Sequence, residues 1–105
     1  MTLVGLDVGT TSVKAVAISP DGEVLARAEE EHPLSIPQPG WAEQDPEDWW
    51  QASERALAAV DADAAAAVGL TGQMHGLVLL DAADRVLRPA ILWNDQRTEA
   101  ECAEI

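Results

Sequence analysis

Apolar residues in the first third of the chain fall into three short runs separated by turn residues. Residues 3–6, 13–18 and 23–28 are the apolar runs, and the turn Ser-Pro-Asp-Gly lies at residues 19–22. Short apolar runs bounded by glycine, proline and hydroxyl residues are typical of strands, and proline followed by glycine favours a tight turn. The pattern therefore predicts three strands in an antiparallel meander.

A helical repeat follows a polar stretch that contains three prolines. We expect residues 29–44 to be loop or sheet edge, because proline cannot donate to a strand ladder. Asp45 suits the N-cap of a helix and Pro46 suits its first position. The next residues recur at helical spacing and predict one core-facing stripe, formed by Trp49, Ala52, Ser53, Ala56, Leu57 and Val60.

The second half alternates further apolar runs with polar junctions. Residues 67–72, 77–81 and 90–93 are predicted as strands, and the chain reverses over residues 82–85. Residues 94–95 (Asn-Asp) are predicted to cap a helix that begins close behind them. The order of three strands, helix, strands and helix predicts an α/β fold with an antiparallel start.

Composition restricts the partners of the chain. The 105 residues carry a net charge of −13 with only six Lys and Arg, and Lys14 is the sole lysine, so nucleic acid is an unsuitable partner. Neither a basic leader nor an apolar run of about eighteen residues is present, so we expect no membrane partner. Cys102 is the only cysteine, which favours a reducing compartment and a cytoplasmic location.

The first predicted strand ends on a carboxylate and leads into a small-residue turn. Asp7 closes the strand, and Gly9, Thr10 and Thr11 follow; we call residues 9–12 the candidate phosphate loop. Glycine lets backbone N–H groups approach phosphate oxygens, hydroxyls add hydrogen bonds, and a carboxylate can hold Mg²⁺. An ordinary β-hairpin has the same pattern, so this alternative stays open. The spacing is neither that of a Walker motif nor that of a dinucleotide fingerprint.

A second polar cluster lies between two glycines at the end of a predicted strand. Gln73, Met74 and His75 are flanked by Gly72 and Gly76. The amide and the imidazole can each donate and accept hydrogen bonds, which suits a polyhydroxylated substrate. The alternative is a turn in which the histidine caps a neighbouring backbone group.

A third cluster, at residues 93–98, joins a predicted strand to the last predicted helix. Trp93 and the polar residues behind it could form a sugar-binding wall. Asp95 could equally be only an N-cap, and Arg97 only a cation on the helix surface.

Taken in this order, the clusters resemble the FGGY carbohydrate kinases of the actin–hexokinase–heat-shock chaperone superfamily. The resemblance is carried by residues 5–14, residues 39–50, residues 72–81 and residues 88–95, of which the last two are similar to the xylulokinase branch. It implies an α/β, ribonuclease-H-like domain. Residues 1–105 would be the first part of the kinase N-terminal domain, with the remainder of the enzyme absent.

The resemblance also implies an activity and residue roles. The reaction would be ATP-dependent phosphorylation of D-xylulose to D-xylulose 5-phosphate with Mg²⁺. Asp7 would be the catalytic and metal-binding carboxylate, and the ATP phosphates would lie along Gly9, Thr10 and Thr11. The sugar would be bound by the Gln73-Met74-His75 cluster. A homodimer of the full-length enzyme is left open.

Other functions compatible with the residues are a kinase for another sugar, such as gluconate or another ketose, and a non-catalytic ATP-binding protein of the same superfamily. A degenerate, truncated product without activity is a third. In the family, the general base lies well downstream, and the chain ends at Ile105 within a run of strong helix formers. We therefore expect this chain to be a fragment that is inactive by itself.

Overall fold

The computed structural model describes all residues, 1–105, and they form two compact units. The sheet unit comprises Met1–His32 and Glu47–Gln73. The loop unit comprises Pro33–Pro46 and Met74–Ile105. In chain order the elements are β1 (Thr2–Val8), β2 (Ser12–Ile18), β3 (Val24–Glu31), β4 (Glu43–Gln44), α1 (Pro46–Ala59), a 3₁₀ turn (Ala62–Ala64), β5 (Ala65–Gly72), β6 (Ala90–Ile91) and α2 (Glu99–Glu104).

The sheet unit contains the predicted antiparallel meander. Its four strands lie in the order β3-β2-β1-β5, with β1 antiparallel to β2 and parallel to β5. Strand β3 continues three residues beyond the predicted end at residue 28. The reason is that β2 begins at Ser12, and pairing along its whole length brings Ser12 opposite Glu31. The expected α/β architecture is confirmed.

Helix α1 packs on one face of the sheet. Its buried side chains, Ala52, Ser53 and Ala56, belong to the predicted stripe. Small alanines on the helix let it approach the strands closely, and valines and a leucine fill the space between them. The buried core consists of Val4, Leu6, Val13, Ala15, Ala17, Ala52, Ala56 and Val60.

The loop unit has little regular structure. Strands β4 and β6 are two residues each and pair antiparallel. The predicted strand over residues 77–81 is wrong: only isolated bridges form there, between Leu77 and Ile91 and between Leu80 and Val86. The apolar run has no long partner strand, so its side chains stay largely exposed.

Helix α2 begins later than predicted. Its N-cap is Thr98, which makes no side-chain capping hydrogen bond, so the predicted cap at residues 94–95 is wrong. The reason lies with Asp95, whose carboxylate is used by other partners, described below. Neither α1 nor α2 has the length and apolar character needed to span a membrane.

Candidate functional site

The candidate phosphate loop is a tight turn between β1 and β2. The Gly9 N–H donates to the Ser12 carbonyl at 3.0 Å. A Cβ at position 9 would lie 2.9 Å from that carbonyl oxygen, so only glycine fits without movement. The backbone of the turn is that of a β-hairpin, as the alternative interpretation of the sequence has it. Whether such a turn can bind phosphate depends on the side chains around it.

Asp7 lies in a groove on the face of the sheet opposite to α1. Because side chains alternate along a strand, Val4 and Leu6 point into the core while Asp7 points to the other face. The groove has a volume of about 680 Å³ and is also lined by Lys14, Glu29 and Thr71. Asp7 and Lys14 are direct cross-strand neighbours. Asp7 nevertheless takes part in none of the ion pairs of the structure.

A chain of polar contacts connects the loop to β3, and the sequence analysis did not predict it. The Lys14 ammonium donates to the Ser12 hydroxyl at 3.1 Å, and that hydroxyl donates to the Glu29 carboxylate at 2.7 Å. Lys14 Nζ also lies 3.7 Å from where a Cβ of Gly9 would be. A cation therefore stands beside the turn. The available signal was that Lys14 is the sole lysine and lies across the predicted turn from Asp7 in the sequence.

Gln73 also lies beside the candidate phosphate loop. Its backbone N–H donates to the Val8 carbonyl at 2.9 Å, and the Thr10 hydroxyl donates to its side-chain oxygen at a long 3.4 Å. The approach requires Gly72, because a Cβ there would lie 2.7 Å from the Val8 oxygen. The structure thus brings Gln73, predicted as a sugar ligand, against Thr10, predicted as a phosphate ligand.

His32, a buried polar residue in the same unit, was not singled out from the sequence. It is 8% exposed, and its Nε2 lies 2.9 Å from the Gly9 carbonyl oxygen. Its backbone N–H donates to the Thr11 carbonyl at 3.3 Å. A histidine directly after a polar strand carries no sequence pattern that would reveal these contacts.

The donor set fits a magnesium ion bound together with phosphates. No group of three or more His, Cys, Asp or Glu side chains is arranged to hold a metal by itself. Mg²⁺ is usually bound through one or two carboxylates together with substrate phosphates and water. Asp7, unpaired with any cation and facing the groove, supplies the one carboxylate that such a site needs.

In the loop unit, Met74 and His75 are exposed. Met74 is 70% exposed, and His75 has a left-handed backbone with φ of 65°. This conformation is unfavourable for a residue with a Cβ, and strained residues are concentrated at functional sites. Both side chains are available to a ligand, and no backbone capping contact of the His75 side chain is present.

Asp95 has a structural role, but not the predicted one. Its carboxylate accepts the Ala42 N–H at 2.7 Å, the Arg97 N–H at 2.9 Å and two further hydrogen bonds from the Arg97 guanidinium. The hydrogen bond with that guanidinium is the main cause that holds the pKa of Asp95 well below its ordinary value despite burial. The hydrogen bonds from the two backbone N–H groups lower the pKa further. The same contact raises the pKa of Arg97.

Arg97 is not the helix-surface cation that was the alternative from sequence. It precedes α2, and its side chain is largely buried. Besides Asp95 it contacts Glu43 at 3.2 Å, and its guanidinium carbon lies 3.8 Å from the ring centroid of Trp41. Arg88 contacts the same Glu43 carboxylate at 3.2 Å. We call these residues the Arg97 cluster. Trp93 remains 57% exposed, as a binding wall requires.

Comparison with known proteins gives a consistent result. Residues 2–105 match the model of the N-terminal domain of the FGGY family of carbohydrate kinases. The chain is 50% identical over 103 residues to a xylulose kinase of Escherichia coli (strain K12), and the match covers 94% of this chain. It is 43% identical over 107 residues to a glycerol kinase of Gloeobacter violaceus, with 98% of this chain covered.

A solved structure is similar over nearly the whole chain. The crystal structure of xylulose kinase from Rhodospirillum rubrum superposes with a TM-score of 0.93 at 38% identity, and the match covers 99% of this chain and 22% of that one. The chain spans 21% of the length of the E. coli relative and 22% of the Gloeobacter relative.

Proposed function

Because the chain belongs to the FGGY family of carbohydrate kinases, we propose that the protein carrying it transfers the γ-phosphate of ATP to D-xylulose, giving D-xylulose 5-phosphate. The observation that supports it most is that a carboxylate and a cation, Asp7 and Lys14, lie opposite each other on the two strands joined by the hydroxyl-bearing turn of residues 9–12. The sugar is inferred from the 50% identity to the E. coli xylulose kinase.

In the sheet unit, the proposed work is to bind and orient the phosphates. Gly9, Thr10 and Thr11 would line their path, and the Lys14 ammonium would neutralise part of their charge. Asp7 would hold Mg²⁺, which neutralises charge on the transferring phosphoryl group when bound. Catalysis of this kind depends chiefly on positioning and on electrostatic stabilisation.

In the loop unit, the proposed work is to bind the sugar. His75 can donate one hydrogen bond and accept another, and Met74 offers an apolar surface for the carbon backbone. Gln73, in the sheet unit, stays a predicted sugar ligand, and its side-chain oxygen accepts from the Thr10 hydroxyl. A site built to hydrogen-bond sugar hydroxyls rejects analogues that lack them.

A second candidate function is phosphorylation of glycerol. It is favoured by the 43% identity to the Gloeobacter glycerol kinase, which covers 98% of this chain. Glycerol has fewer hydroxyls than a ketopentose, so the same loop unit would bind the two with different affinity. Location and assembly stay predictions from sequence: a cytoplasmic enzyme, with a homodimer left open.

A chimera tests the proposed function. Residues 1–105 would replace the matching segment of the E. coli relative, and ADP release would be measured with D-xylulose, glycerol and gluconate at equal ATP. We expect the largest kcat/KM with D-xylulose. A chimera that is folded and prefers another sugar would contradict the proposed substrate, and one that turns over none would contradict the proposed function.

Variants of the chimera test the residue roles. Asp7→Asn should lower kcat about a hundredfold or more, since the metal-binding carboxylate is removed while the shape is kept. Glu31→Gln, on the exposed end of β3, is the matched control and should leave kcat unchanged. The 105-residue chain by itself should show no turnover, because it spans only 21% of the length of the E. coli relative; turnover by it would refute that prediction.

A further inference from the structure

His32 contacts the candidate phosphate loop at two points. Its Nε2 lies 2.9 Å from the Gly9 carbonyl, and its own N–H donates to the Thr11 carbonyl. A carbonyl oxygen can only accept, so Nε2 must carry the ring proton. The other ring nitrogen, Nδ1, is buried without a hydrogen-bond partner.

The contact with Gly9 determines how the next peptide group is oriented. A peptide unit is planar and trans, so the carbonyl of Gly9 and the N–H of Thr10 point in opposite directions. Holding the Gly9 carbonyl against the imidazole therefore directs the Thr10 N–H away from it. Glycine allows many backbone orientations, so without this contact the plane of the Gly9–Thr10 peptide could flip at little cost in free energy.

The unpartnered Nδ1 argues against a role in stability alone. A buried polar nitrogen without a partner destabilises the folded state, because it has lost its hydration and gained no hydrogen bond in exchange. A side chain that served only to fill this position would avoid such a nitrogen. The one polar atom of the ring that is used, Nε2, is the one that faces the loop.

We propose that His32 is a positioning residue that fixes the Gly9–Thr10 peptide for phosphate binding by holding the Gly9 carbonyl through its Nε2–H. The proposal rests on the proposed function of the loop, but not on the identity of the sugar. It extends the phosphate site to a side chain that directly follows β3 and gives that side chain no contact with substrate.

Two variants separate the hydrogen bond from the volume of the ring. His32→Gln keeps a nitrogen donor at the reach of Nε2 and lacks an equivalent of Nδ1. His32→Leu keeps bulk and burial but has no donor. Glu31→Gln, at the exposed residue that precedes His32 and ends β3, is the control for a change in charge or packing nearby.

Steady-state kinetics of the chimera give the first readout. One hydrogen bond of ordinary net strength corresponds to about a fivefold effect, so His32→Leu should raise the KM for Mg·ATP about fivefold. The KM for D-xylulose should stay unchanged, and His32→Gln should restore the KM for Mg·ATP to within about twofold of the parent. If His32 had only a structural role, its variants would change the KM values for Mg·ATP and D-xylulose together or leave both unchanged, and any change would follow the loss of thermal stability.

NMR of the ¹⁵N-labelled 105-residue chain gives a readout that does not need activity. We expect the His32 ring proton on Nε2, and a Thr10 amide shift that changes in His32→Leu far more than in Glu31→Gln. A proton on Nδ1, or an unmoved Thr10 amide, would overturn the proposal. An inactive parent chimera would count against the proposed function only, and the NMR result would then decide the role of His32.

Discussion

Different interactions stabilise the interior of the sheet unit and the interior of the loop unit. The sheet unit buries eight apolar side chains between its strands and α1. The loop unit buries three apolar residues, Ala42, Ala90 and Leu92, and beside them two polar ones, Glu43 and Gln44. It also contains the Arg97 cluster, made of ion pairs and a guanidinium that lies over an indole ring.

The difference matters because the two kinds of interaction respond to different changes. Apolar burial is non-directional and scales with the area removed from water. A buried ion pair is directional, and removal of one partner leaves a charge without compensation. The sheet unit should therefore respond to changes in side-chain volume, and the loop unit to changes in charge.

The largest expected effect is in the Arg97 cluster. Arg97→Met keeps the length of the side chain but leaves two acidic groups, Asp95 and Glu43, without their shared cation. We expect a loss of about 3 kcal/mol of stability in the loop unit, measured as faster amide exchange of Ala42. Arg97→Lys keeps the charge and should lose less. An unchanged exchange rate in Arg97→Met would contradict the comparison.

A volume change in the sheet unit should have the next largest effect. Val13 is completely buried, and Val13→Ala should lower the free energy of unfolding of that unit by about 2 kcal/mol through the cavity it leaves. Denaturant unfolding followed by amide signals of β2 would measure this. Val24→Ala, at an exposed position of β3, is the matched control. Equal losses in the two variants would show that burial does not govern this unit.

Acid should affect the loop unit first. The pKa of Asp95 is lowered in the folded state, so its stabilising contribution is complete above its unfolded pKa of about 3.9 and is lost as pH falls below that value. Amide exchange of Ala42, whose N–H is held by Asp95, should accelerate below about pH 4 relative to amides of β2. Asp95→Asn should remove most of this pH dependence, and a parallel acceleration in β2 would contradict it.

The smallest expected effect concerns His75. Because its backbone is left-handed, His75→Gly should be more stable than His75→Ala by about 1 kcal/mol, although glycine is the more flexible residue. Both variants of the chimera should raise the KM for D-xylulose. Thermal denaturation of the two variants is the measurement, and an alanine variant as stable as the glycine variant would show that no strain is stored there.

The sheet unit was largely predictable because its order follows from periodicity. The strands β1 to β3, the stripe of α1 and the position of β5 can all be read from apolar spacing, since burial alone requires them. Strand β3 was underestimated because its last residues, Glu29 to Glu31, are all acidic, and their pairing with β2 is set by the partner strand.

The loop unit was predictable only in its chemistry. The residues of the Trp93–Thr98 junction were singled out, but Asp95 binds Ala42, and Arg97 binds Glu43, more than fifty positions earlier in the chain. Pairings between distant polar residues leave no periodic signal. The apolar run at 77–81 was predicted as a strand from its composition alone. A strand also needs a partner, which composition does not show, and here only isolated bridges form.

The candidate site shows the same division. Asp7, Gly9, Thr10 and Thr11 were predicted as site residues because they interrupt an apolar pattern at a strand end. His32 was not singled out, because its contacts with the turn form only when β3 aligns with β2. Whether the sugar is bound by Met74 and His75 stays a prediction.

The exposed Lys14 beside the turn gives the chain a built-in attachment point. Since it is the sole lysine, a reagent that acylates amines can react only there and at the N-terminus. A fluorophore or spin label could thus be coupled next to residues 9–12 without any engineered cysteine. Protection of Lys14 from such a reagent by Mg·ATP would report nucleotide occupancy in an unmodified sequence.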